Sequence, residues 1–110
     1  MKLTSKEMEV MDVLWAKGAP MTVSEILTVS NNRTWKENSI FVMMKRLEDK
    51  GAVIMDHLRP TVTNNARTYR PLFSYEEYLA KNVASVNEKR SPGLDFDVDL
   101  FIKSLKKEIR

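Results

Sequence analysis

Between Arg33 and Arg70 the chain carries eight basic residues (Arg33, Lys36, Lys45, Arg46, Lys50, Arg59, Arg67 and Arg70) against four acids (Glu37, Glu48, Asp49 and Asp56). That is a local charge of +4 in a 110-residue chain whose total is +3. Such a block either faces a polyanion or is solvated surface, and its neighbours separate the two readings. On a helical wheel through residues 35–50, Ile40, Met43, Met44 and Leu47 form one stripe. The face opposite holds Asn38, Val42 and Lys45, flanked by Trp35, Ser39, Phe41 and Arg46. An Asn amide bonds adenine through two hydrogen bonds, a Ser hydroxyl donates or accepts, Val and Phe touch a thymine methyl, and Lys and Arg serve phosphates. Thr34, Trp35 and Lys36, which lead into this helix, are counted with it as candidate DNA contacts, while Arg59, Arg67 and Arg70 lie beyond it as candidates for phosphate or minor-groove contact. An apolar pair packed beneath a neighbouring element is the competing account of Phe41 and Val42.

Other chemistries find little support. With no cysteine, disulfides, zinc–thiolate sites and cysteine nucleophiles are excluded. The three glycines (Gly18, Gly51 and Gly93) form no phosphate loop, and no serine sits in a nucleophile motif. His57 has no Cys or His nearby and reads as a strand surface residue. Asp95, Asp97 and Asp99 open like a calcium loop, yet its sixth position is Leu100 and its twelfth Lys106, so they read as acids at a helix start. An enzyme is not expected, nor a metal or cofactor. The longest apolar run, Ile40 to Met44, falls far below the roughly 20 residues that cross a bilayer. No apolar stretch follows a basic amino terminus, so the expectation is a cytoplasmic protein without a membrane partner.

The elements that position these residues announce themselves by their starts. Thr4 with Glu7, Thr22 with Glu25, Thr34 with Glu37 and Ser74 with Glu77 each have capping-box spacing, which predicts four helices. The first runs from about Ser5 to Lys17, with Met8, Met11, Leu14 and Trp15 inward and Gly18 as its stop. Ala19-Pro20 turns the chain into a second helix, Val23 to about Val29, with Ile26 and Leu27 inward. The third, about Trp35 to Lys50, ends at Gly51 as a left-handed cap. Ala52 to Leu58 and Ala66 to Arg70 then read as paired strands around a floppy loop, Arg59 to Asn65, too long for a tight hairpin.

Three helices followed by a β-hairpin is the order of a winged helix-turn-helix domain, although a three-helix bundle with a non-functional hairpin has the same order. A fourth helix, about Tyr75 to Val86, carries Leu79, Val83 and Val86 on one side. After the polar linker Asn87 to Gly93, Val98, Phe101, Ile102, Leu105 and Ile109 form an amphipathic stripe. That stripe either folds back on the domain or pairs with a second protomer; pairing is favoured because isolated short helices are marginal. The expected fold class is mainly α with a small β-hairpin: a winged-helix DNA-binding domain over residues 1–73 and carboxy-terminal dimerisation helices over 74–110.

The stretch Glu7-Met8-Glu9-Val10-Met11-Asp12-Val13-Leu14-Trp15, then Thr34-Trp35, Ile40, Met43, Arg46-Leu47 and Lys50-Gly51-Ala52, resembles the penicillinase repressor family, which also includes copper-responsive repressors. Tyr69-Arg70-Pro71-Leu72 followed by Glu76-Glu77-Tyr78-Leu79 is similar to that family's second wing strand and its exit toward the dimerisation region. The likeness spans about Leu3 to Ala80. It implies a dimeric winged-helix repressor on a palindromic operator, with Asn38, Ser39, Phe41 and Val42 facing bases and Arg46 near the backbone. Several members carry polar residues where this chain has Phe41 and Val42, a departure that bears on operator sequence. The copper-sensing cysteine cluster is absent, and so is the Asn-Phe bond cleaved in the β-lactam branch, since Asn82 precedes Val83 and Asn87 precedes Glu88. The region after Ala80 is short beside the family's usual three helices, which implies a dimer built from about two. The partners implied are double-stranded operator DNA, a second copy of the chain, and an inducer or protease of unknown identity. The rival from another class is a winged-helix module that docks a regulatory protein through Phe41, Val42 and the carboxy-terminal stripe.

Overall fold

A computed structural model of the chain describes residues 1–90 and 95–109. Local capping decides where its first helices begin. In α1 (Ser5–Lys17) and α2 (Val23–Val29), Thr4 and Thr22 each accept the backbone N–H three residues on, and Glu7 and Glu25 return to the cap's own N–H. Gly18 closes α1 at φ 68°, where a side chain would be strained. The third capping box does not form. Thr34 instead donates its backbone N–H and its hydroxyl to the two carboxylate oxygens of Glu9 on α1. Without that cap the third helix starts later than expected, as a 3-10 turn over Glu37–Ser39 continuing into α3 (Ile40–Asp49).

The β part is larger than a hairpin. Met21–Thr22, immediately before α2, forms a short strand β1 that pairs antiparallel with β3 (Asn65–Pro71), and β3 in turn pairs with β2 (Val53–Pro60), in the order β1-β3-β2. The expected loose loop between the strands is also corrected: Pro60 pairs with Asn65 and Arg59 with Ala66. Thr61 closes the four-residue tip, its N–H and hydroxyl both donating to the Asn64 carbonyl. The register slips between Met55 and Leu58, and the buried Thr68 hydroxyl bridges the gap by accepting from His57 N–H and donating to His57 C=O.

One hydrophobic core joins these elements. Val10, Met11 and Leu14 of α1 and Ile26 of α2 meet Ile40, Met43, Met44 and Leu47 of α3, with Val53 and Tyr69 of the sheet. Met8 and Trp15, expected inward, are partly buried at its margin. From there Trp15 donates its indole N–H to the Phe73 carbonyl at 2.8 Å and packs on Tyr75 and Tyr78. This fastens α4 (Tyr75–Glu88), capped by Ser74, to α1, with Tyr78 in the same core. α5 (Val98–Glu108) is capped by Asp97 and buries no residue. Among the described residues no helix is long and apolar enough to cross a membrane.

A buried ion pair ties the start of α1 to the end of α3. Glu7, only 2% exposed, accepts from Lys50 Nζ at 2.5 Å and from the Thr4 backbone N–H at 2.8 Å. Burial pushes the Glu7 carboxyl up, but the Lys50 hydrogen bond and charge together with the Thr4 contacts outweigh it, so its pKa falls below the ordinary 4.5. A depressed carboxylate stabilises the fold above its unfolded pKa, and that contribution is lost as pH falls through the folded value. Lys50→Met therefore is expected to cost about 2 kcal/mol at neutral pH, below the usual range for a broken buried pair because Lys50 is itself a third exposed. Thermal melts would show a drop of roughly 10 °C that narrows below about pH 4.5; a pH-independent gap would contradict the assignment.

Candidate nucleic-acid interface

The face of α3 opposite the core is built as the helical wheel expects. Ile40, Met43, Met44 and Leu47 are buried, while Phe41 and Val42 stand 69% and 54% exposed. These two apolar side chains do not pack under the wing. Asn38, Lys45 and Arg46 are exposed beside them, and Ser39 is half-buried. Lys36, Asn38 and Ser39 lie at or in the 3-10 turn that leads into α3, so the amide and the hydroxyl sit one turn before the apolar pair.

The structure divides the basic block. Four cations are committed to the chain's own groups: Arg33 lies over the Trp35 ring at 5.3 Å, Lys50 holds Glu7, Arg59 holds Glu25 and the Pro20 carbonyl, and Arg70 holds Asp56 at 2.9 Å. Lys45 pairs with Asp49 at 3.0 Å on the exposed surface, a contact weak enough to exchange for a phosphate. Among the described residues Lys36, Arg46 and Arg67 make no ion pair. They are the cations left for an outside anion.

Three expected contacts are corrected by this geometry. Trp35 is 4% exposed and belongs to the core, so it supports α3 from beneath and presents nothing to a ligand on the outer face. Thr34 has both hydrogen-bonding groups engaged by Glu9, whose pKa the Thr34 hydroxyl and then its backbone N–H lower. Arg59 fastens the wing to α2, and the Thr22 backbone N–H followed by Arg59 and the Thr22 hydroxyl holds the Glu25 carboxyl below its ordinary range. Each of these partners is distant in sequence, which is why spacing alone assigned the residues outward.

Ser5, Lys6 and Val62 are not singled out for this surface by sequence, whereas His57 reads as a strand surface residue. A cleft of about 610 Å³ separates the start of α1 from α3, and Ser5 and Lys6 line it opposite Asn38, Ser39, Val42 and Arg46. Val62 is fully exposed at the wing tip. His57 is a half-exposed strand residue whose ring nitrogen meets Asp56 at 2.6 Å; that hydrogen bond, with Arg70, keeps the Asp56 carboxyl below its ordinary range.

A model of the penicillinase repressor family matches residues 3–96. The chain belongs to the penicillinase repressor family. The match takes in every element from α1 to α4, hence the whole helical core, the sheet and the α3 surface, and it ends just before α5. No curated protein matches the chain. Its family is one of transcriptional repressors with DNA as the broad partner class, and it is not a class of enzymes. The five α-helices and small antiparallel sheet among the described residues agree with a winged helix followed by carboxy-terminal helices.

Within this family member the carboxy-terminal residues fall into two sets. Phe101 packs on Phe96 at 5.4 Å, and the two line an apolar groove of about 470 Å³ with Leu79, Val83 and Val86 of α4. Val98, Ile102, Leu105 and Ile109 remain exposed along α5. The Asn87–Gly93 linker expected between them is helical through Glu88, and its residues 91–93 lie outside the described residues.

Proposed function

We propose that this chain is a homodimeric, sequence-specific transcriptional repressor that acts in the cytoplasm on a palindromic operator. In this reading α3 enters the major groove with Asn38, Ser39, Phe41 and Val42 toward base edges. Lys36, Lys45 and Arg46 meet phosphates beside it, and Arg67 meets them from the wing. The observation that carries the reading is the exposed apolar pair Phe41 and Val42, set among hydrogen-bonding and unpaired cationic groups on a helix whose other side is fully buried. Water gains nothing from that mixture; a groove displaying thymine methyls, base amides and phosphates matches all three kinds of group.

Dimerisation is supported by α5, which buries none of its own residues while exposing an apolar stripe. The radius of gyration, 17.2 Å, also exceeds the roughly 13 Å of a compact chain this long, so the molecule projects surface that a partner would cover. Residues 1–73 then supply DNA contacts and 74–110 the dimer, and two-fold half-sites spaced by about one helical turn follow. Quantitative mobility shifts on fragments of the chain's own promoter region test this. The expected result is one preferred, two-fold symmetric site that survives moderate salt; weak binding without sequence preference would refute the proposal.

A further inference from the structure

The charges of α5 and its approach are ordered along the chain. Asp95, Asp97 and Asp99 stand at the start, and Lys103, Lys106 and Lys107 follow in the second half. Val98, Ile102, Leu105 and Ile109, all exposed, recur at intervals of four, three and four, which lines them up on one face. At 100° per residue, Asp99 and Lys106 fall on the same flank of that face, each roughly 80° from its centre. Both are exposed, and neither makes an ion pair among the described residues. The other flank is taken up within the chain, since Phe101 packs there on Phe96 beside α4. The free surface of α5 is therefore an apolar stripe edged by one acid and, two turns later, one base.

We infer that α5 packs antiparallel on the α5 of a second copy, Ile102 against the partner's Leu105 and Val98 against the partner's Ile109, with Asp99 beside the partner's Lys106. This rests on the dimer proposed above and adds its orientation and register. A two-fold axis through such a pair keeps each flank on its own side and makes every contact twice. In the one register that pairs all four apolar residues, Asp99 and the partner's Lys106 lie only about 3 Å apart along the axis, within reach of an ion pair. The acidic start of each helix then meets the basic end of the other, and the two helix dipoles oppose. A parallel pair in register would instead set the three acids beside the partner's three acids and Lys106 beside the partner's Lys106. Like charges at such spacing are destabilising. The apolar stripe alone fits either orientation; the flanking charges choose between them.

Because the full chain has no cysteine, single cysteines report the orientation directly. Val98 and Ile109 are eleven residues apart, about 16 Å along the helix, whereas a disulfide needs Cα atoms within about 7 Å. Under mild oxidation, a mixture of the Val98→Cys and Ile109→Cys chains is expected to form a disulfide-linked dimer joining one of each. Neither variant alone is expected to cross-link. Asp99→Lys exchanges two attractive contacts for two repulsive ones, so sedimentation at low salt is expected to show a dimer weakened about tenfold. Adding Lys106→Asp to the same chain restores the opposite charges and is expected to recover most of that loss; a parallel pair would respond to neither change. Cross-linking of either single variant with itself, or a dimer that cross-links in no combination, would overturn the antiparallel register and leave the dimer standing. An unaltered dimer affinity in Asp99→Lys, or no recovery in the double variant, would overturn the charge pairing. A natural chain that stays monomeric by light scattering at every concentration would refute the dimer itself, and with it this part of the repressor reading.

Discussion

Ile102→Asp combined with Leu105→Asp is expected to yield a monomer by light scattering, with the winged-helix fold intact by circular dichroism and operator affinity reduced by two orders of magnitude or more. Both residues are exposed on α5, which contributes nothing to the core, so the substitution leaves the chain's own packing alone. In a symmetric dimer it removes four aliphatic side chains from the interface. With somewhat under half of each side chain exposed, under half of the ~1.5–3 kcal/mol for full burial applies to each, roughly 3–5 kcal/mol in total before the cost of burying four carboxylates. A micromolar dimer is held by only about 8 kcal/mol. The affinity loss follows because two tethered half-site readers gain on the order of 10²–10⁴ over one. Phe101→Asp, suggested by periodicity, is a poorer choice: Phe101 packs on Phe96 and the α4 groove of its own chain, so its loss would mix folding with assembly. A double variant that stays dimeric would place the interface elsewhere.

What could be read from the sequence was what depends on near neighbours. The bounds of α1 and α2 follow from capping boxes and a glycine stop, and both stand as expected because every partner lies within a few residues. The Thr34 box has the same spacing and fails because Glu9, 25 residues earlier, offers both oxygens to Thr34. β1 is two residues long and exists only through Tyr69 and Thr68, so no local pattern announces it. The wing tip is illegible for a similar reason, since Thr61 and Asn64 close a turn without the glycine that marks tight hairpins. The outward surface of α3 shows the same split. Periodicity alone separated Ile40, Met43, Met44 and Leu47 from Phe41 and Val42. Counting charges could not say which cations were occupied, because Glu7, Glu25 and Asp56 reach Lys50, Arg59 and Arg70 through the fold.

That division of the cations makes the largest functional effect specific. Arg46→Ala together with Arg67→Ala is expected to lower the salt dependence of operator binding sharply, because in a dimer the pair removes four phosphate contacts. Each contact contributes about 0.9 to the logarithmic slope, so the slope falls by roughly 3.6, and at 0.1 M salt the affinity falls by about three and a half orders of magnitude. Arg59→Ala and Arg70→Ala provide the comparison. Their charges are bound to Glu25 and Asp56, so removing them leaves the slope near its original value. Arg59→Ala alone is expected to lower the melting temperature modestly, since it frees the wing from the Glu25 side chain and the Pro20 carbonyl. Isotherms measured between low and moderate salt, on the preferred fragment and on a scrambled one, separate the possibilities. If all four arginines change the slope alike, the ion pairs open on binding and the division fails. If none changes it, the α3 surface and wing are not on phosphates. The exposed Phe41 and Val42 would then serve a protein partner, as in the rival reading of the same helix.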